Sequence, residues 1–170
     1  RTVIRKAYAE GNVQTSQGIT GLSPFSMEQI GTGGVIGRAI YPGIIAEVMA
    51  KGNVSGVQRV GGLIGAYVGG EYDSPNINHA VAIGNTQATG EVAGGLIGWI
   101  WPRYFEIANA FCVGEVSAAA EAGALIGQNG ASYAAADGWP ITEDYRIAYN
   151  TSCFYNTENN FASNTLGGTG

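Results

Sequence analysis

Apolar and polar residues alternate with period two in four short stretches of the chain. In KAYAEGNVQ, around Gly11, the residues Ala7, Ala9 and Val13 share one face. EVMAKGNVS, around Gly52, puts Val48, Ala50 and Val54 in the same places. HAVAIGNTQ, around Gly84, supplies Ala80, Ala82 and Thr86, and NAFCVGEVS, around Gly114, supplies Ala110, Cys112 and Val116. Successive side chains of a strand point to opposite faces, so this small apolar set predicts a strand with an inward face. The other face carries Glu10, Lys51, Ile83 and Val113, then Asn12, Asn53, Asn85 and Glu115. Three asparagines at one repeat position predict a ladder, provided the copies stack in parallel register about 4.8 Å apart.

A second block follows each of these strands. It reads GTGGVIG from Gly31, VGGLIG over Val60–Gly65, AGGLIG from Ala93 and AGALIG from Ala122. Its recurring glycines are Gly33, Gly34 and Gly37, then Gly61, Gly62 and Gly65, then Gly94, Gly95 and Gly98, and finally Gly123 and Gly127. A phosphate-binding loop occurs once per nucleotide site, whereas four copies make a structural repeat. Read as a strand, the block is apolar on both faces, with Val60, Gly62 and Ile64 opposite Gly61, Leu63 and Gly65. This is the pattern of a strand covered on two sides, with glycines admitting close neighbours.

A variable stretch completes each repeat: RAIYPGIIAE, AYVGGEYDSPNIN, WIWPRYFEIAN and QNGASYAAADGWPITEDYRIAYN. The first-block glycines are 41, 32 and 30 residues apart, and the first repeat carries an insertion between its two blocks. An atypical terminal repeat is usual in stacked arrays. The expected fold is therefore all-β, a parallel β-solenoid (β-helix-like) of about four stacked repeats with loop insertions on one side. Residues 1–170 form a single repeat domain, with repeats near 4–45, 46–77, 78–107 and 108–147 and a closing segment over 148–170.

Composition narrows the function classes. The 170 residues include 28 glycines, only 12% charged residues and a formal net charge of −5. Scarce Lys and Arg argue against nucleic acid, whose binding needs a basic footprint. No apolar run reaches the roughly 18 to 20 residues of a spanning helix, so no membrane span is expected.

The two blocks together resemble the GLUG repeat. AKGNVSG at Ala50–Gly56 and VGGLIG at Val60–Gly65 match that family's strand and glycine core nearly letter for letter. CFYNTENNFASNTLGGTG, from Cys153, is similar to sequences that close such arrays. The fourth copy departs from the pattern, with Glu115 for Asn and Ala124 for Gly. The resemblance implies an extracellular or cell-surface, adhesin-like bacterial module, and it transfers no catalytic residue.

Candidate chemistry is sparse. His79 is the single histidine, and no HExxH, CxxC or Walker A string is present, so no catalytic residue, transition-metal site or cofactor is expected. Glu71 with Asp73, and Glu143 with Asp144, fall in variable stretches; solvated charge, a calcium site at Glu71 and Asp73, and polysaccharide cleavage are the readings open to them. Trp99, Trp101, Tyr104 and Phe105 form the densest aromatic group, either a sugar-stacking platform or core covering the glycine-rich strand. Cys112 and Cys153 sit at matching places if CFYNTE opens a last coil. A disulfide there would close a loop of about 40 residues and stabilise by roughly 3–4 kcal/mol; two stacked thiols are the alternative.

The expected function is a non-catalytic structural or adhesive module of a surface protein or appendage. Its partners would be other copies of itself or flanking repeats, and its ends would meet to make a filament or stalk. The alternative is a module binding glycans or host surface proteins through the variable face.

Overall fold

The computed structural model describes residues 2–18, 31–69, 76–101, 104–129, 146–150 and 154–155. The first coil contains β1 (Thr2–Glu10), β2 (Val13–Gln14), β3 (Thr32–Gly33) and β4 (Ile36–Ile40). The second contains β5 (Pro42–Lys51), β6 (Val54–Gly56), β7 (Val60–Gly61) and β8 (Ile64–Val68). β9 (Asn76–Ile83), β10 (Thr86–Ala88), β11 (Val92–Gly94) and β12 (Ile97–Trp101) make the third. β13 (Tyr104–Val113), β14 (Val116–Ala118), β15 (Glu121–Gly123) and β16 (Ile126–Asn129) make the fourth, and β17 (Arg146–Asn150) and β18 (Phe154–Tyr155) follow.

Equivalent strands of successive coils pair in parallel, giving four sheets that run along one axis. The first sheet has the order β1-β5-β9-β13-β17, with β18 also on β13. The other three have the orders β14-β10-β6-β2, β15-β11-β7-β3 and β16-β12-β8-β4. The protein is a parallel β-solenoid of four coils.

Register turns the sequence repeat into columns of like residues. Val13, Val54, Thr86 and Val116 form one column, and Ile36, Ile64, Ile97 and Ile126 another. The main core lies between the first and fourth sheets. It gathers Ile45, Val48 and Ala50 with Leu63, Ile64 and Tyr67, and their equivalents above and below. A smaller core of Val54, Val60, Ala88, Ala93, Val116 and Ala122 fills the space between the second and third sheets. The small apolar face read from the first block points inward, as the alternation requires.

Two local features depart from simple strands. The long strand of the first sheet bends in every coil at one residue with positive φ: Lys6 (56°), Glu47 (56°), His79 (52°) and Asn109 (50°). This left-handed residue shifts the alternation, so Ile4, Ile45, Ile77 and Ile107 lie three residues, not two, before the next inward side chain. Such a conformation costs roughly 1–2 kcal/mol for an L residue, and its recurrence shows that the stack enforces it. The next corner uses glycine, with φ of +133° to +139° at Gly11, Gly52, Gly84 and Gly114.

The second block is not one strand covered on both faces. Val60–Gly61 belongs to the third sheet and Ile64–Val68 to the fourth, with a sharp bend between. Consequently Leu63 and Ile64, adjacent in sequence, are both fully buried in the main core. A Cβ on Gly61 would lie 1.9 Å from the carbonyl oxygen of Ile64 and 2.6 Å from the nitrogen of Gly98. The glycines therefore serve the bend and the stacking together.

The variable stretches also divide differently from the expectation. Their first residues form the fourth sheet and their last residues begin the first sheet of the next coil. Coils therefore start at Thr2, Pro42, Asn76 and Tyr104, a few residues ahead of the repeat boundaries read from sequence. In every coil the fourth strand is followed in sequence by the first strand of the next coil, so the chain passes from the fourth sheet to the first at each step. The first-coil insertion, in contrast, lies between β2 and β3.

Candidate functional site

The aromatic group is the place to look for a site, because β12 sets Trp99 and Trp101 on its outer face. Register neighbours of Trp99 are Ala66, whose small side chain leaves room for the indole, and Gln128. Trp99 packs with Ala66 and Val92, and Val68 and Trp101 lie against this cluster. Its ring is 5.7 Å from that of Trp101, tilted by 46°. The Arg59 guanidinium lies over the Trp99 ring, 4.2 Å from its centroid.

Arg59 is itself buried and has a positive φ of 48° at the entry to the third sheet. Its Nε is 3.7 Å from Glu91 Oε2, and Gln58 Nε2 donates to Glu91 Oε1 at 2.6 Å. A desolvated cation over indole contributes on the order of 2 kcal/mol. Trp99 is only 3% exposed, so its face is taken by protein. Of the two readings of this indole, burial and the Arg59 contact favour core. Trp101 is half-buried. Tyr104 and Phe105 open β13, and Phe105 pairs in register with Ile147.

Sequence reading missed Arg59. Its signal was a cation directly before the second glycine block, at a place where the other copies have Gly31, Val92 and Glu121. Also missed was an outward apolar column on the first sheet, Tyr8, Met49, Val81 and Phe111, in register with Phe154.

The other candidates are dispersed. His79 occupies the exposed left-handed corner of β9. Glu71, Asp73, Glu143 and Asp144 lie outside the described residues. Among the described residues no three His, Cys, Asp or Glu side chains come together in a metal-binding group, and no helix is long and apolar enough to cross a membrane.

Cys112 is a buried free thiol that donates to the carbonyl oxygen of Ala124 at 2.9 Å. Burial pushes its pKa up from 9.0 to about 12. The register partner of Cys112 in the last strand is Tyr155, two residues past Cys153, because β18 places Phe154 beside Phe111. Cys153 lies outside the described residues.

The asparagine ladder is present. Asn53 N–H donates to Asn12 Oδ1 (2.9 Å), Asn85 N–H to Asn53 Oδ1 (2.9 Å) and Glu115 N–H to Asn85 Oδ1 (3.0 Å). Beside it, Lys51 Nζ is 2.9 Å from Glu10 Oε1, which also accepts through its other oxygen from the Tyr8 hydroxyl. Lys51 first, then Tyr8, hold the Glu10 carboxyl below its ordinary pKa, and Glu10 raises the pKa of both partners.

Compared with known family models, curated proteins and solved structures, the chain matches none. The resemblance to the GLUG repeat accordingly rests on the repeated strings and their spacing.

Proposed function

We propose that this chain is a non-catalytic structural module of a secreted or surface-anchored assembly, a rigid stack of coils that spaces or joins other parts. The observation that supports it is the use of the repeat's distinctive residues. Asparagines bond to the next coil and glycines admit the next backbone, while Trp99, found in the third copy alone, is packed against Ala66 and Val92 under Arg59. Each recurrent feature works toward the stack. Resemblance to GLUG repeats supports an extracellular setting.

The test is a broad screen of polysaccharides and glycans with the full chain, alongside Trp101→Ala. A structural role predicts no turnover and no saturable binding that depends on Trp101. Turnover, or glycan binding lost on Trp101→Ala with the fold intact, overturns it in favour of a binding or catalytic face.

A further inference from the structure

The first coil is the outermost strand in all four sheets. Its inward residues Ile4, Ala7, Val35 and Ile36 are only partly buried, while Ile45, Val48, Leu63 and Ile64 one coil on are 0–1% exposed. Val3 (55%) and Tyr8 (57%) on β1 are the most exposed large apolar side chains among the described residues. An edge strand with unpaired backbone groups and exposed apolar side chains is a template for another strand.

Among the described residues, the opposite end carries an added strand in the first sheet. β17 and β18 extend the first sheet one strand beyond β13, and their register positions coincide with those of β1. Through the intervening strands, Ala148 stands in the column of Val3, Asn150 in that of Arg5, and Phe154 in that of Tyr8. The bend between the third and fourth sheets differs at this end. A Cβ on Gly34, Gly62 or Gly95 would lie 2.2–2.4 Å from the carbonyl oxygen of the coil above, and the fourth coil has Ala124 at that place. Its methyl group excludes another coil stacked in the same geometry.

Charge separates along the same axis: of the described residues, those up to 69 hold five Lys or Arg and two Glu, and those from 76 hold one Arg and four Glu. The sequence as a whole is divided in the same sense. Residues 1–69 hold six Lys or Arg and three Asp or Glu, a net charge of +3. Residues 70–170 hold two and ten, a net charge of −8. Like ends repel and unlike ends attract over the Debye length of about 10 Å.

From these observations, and resting on the structural reading above, we infer that the chain binds a second copy of itself head to tail through the first sheet, β1 of one copy pairing with β17 and β18 of the next. The contact is heterologous, so it propagates into a polar filament.

The experiment introduces Val3→Cys and Ala148→Cys together in the full chain. Within one molecule these positions are four strands apart, about 19 Å, far beyond disulfide reach. The register partners Val3→Cys and Ile44→Cys provide an in-chain control, and each single variant sets the background from Cys112 and Cys153. The expected result is a ladder of disulfide-linked dimers, trimers and larger species at low salt. Arg5→Glu with Lys6→Glu should weaken association, read by sedimentation, on the order of tenfold.

The inference is overturned if the control pair closes while the Val3–Ala148 pair leaves only monomers at every concentration. Ordered fibres in that case keep the structural function but place the joint elsewhere. Linked species that persist unchanged with both charges reversed overturn the electrostatic part alone.

Discussion

Thr86 interrupts a column otherwise made of valine. Its neighbours Val54 and Val116 are apolar, Thr86 is 1% exposed, and its Oγ1 has no hydrogen-bond partner. Burying an unpaired hydroxyl costs about 1–3 kcal/mol. Thr86→Val, nearly the same shape, is expected to stabilise the protein by about 1 kcal/mol or more in denaturant melts. Cys112 has the opposite character, a polarisable group accepted in an alanine column because its thiol reaches the Ala124 carbonyl. The thiol stays protonated in the folded chain up to about pH 12, while the unfolded thiol ionises near 9.0. Its contribution to stability is therefore complete below about pH 9 and falls as pH rises toward 12. Replacing Cys112 with Ala should remove that component of the alkaline decline, measured as melting temperature against pH.

At the scale of elements, the ladder of asparagines gives each rung one bond from side chain to backbone across coils. Asn53→Ala removes the acceptor for Asn85 N–H at an exposed site that water can reach, so the expected loss is about 0.5–1 kcal/mol. Asn53→Asp keeps an acceptor and should retain most of it; equal losses in both would mean that the rung contributes through something other than this bond. The strand, its inward face and the ladder were legible in the sequence because period two and exact repetition fix them without knowledge of neighbours. The bend inside GGLIG was not. Alternation assigns Leu63 and Ile64 to opposite faces, and only the close approach of Gly61 to the Ile64 carbonyl shows the chain turning there. The left-handed residue at Lys6, Glu47, His79 and Asn109 left a fainter trace, a three-residue gap after each inward isoleucine. At the candidate site, the Trp99–Trp101 pairing on one face was readable; Arg59 stood out as a cation directly before the second glycine block, but nothing in the sequence near Trp99 ties it to that indole, because it comes from the neighbouring coil.

At the scale of the whole molecule, the described coils make a stack with two unlike ends. One presents a basic first coil with partly exposed core residues, the other a longer first sheet beside a coil that has Ala124 in place of the stacking glycine. Departures of the fourth copy from the repeat thus acquire a physical sense: Glu115 ends the amide ladder, and Ala124 stops the close stacking that glycine permits. Electron microscopy of the untagged chain, with its mass in solution, tests the structural account most directly. The account predicts ordered fibres, with an axial repeat of about 24 Å set by five strands of the first sheet at ~4.8 Å each. Discrete monomers at high concentration and low salt would contradict it.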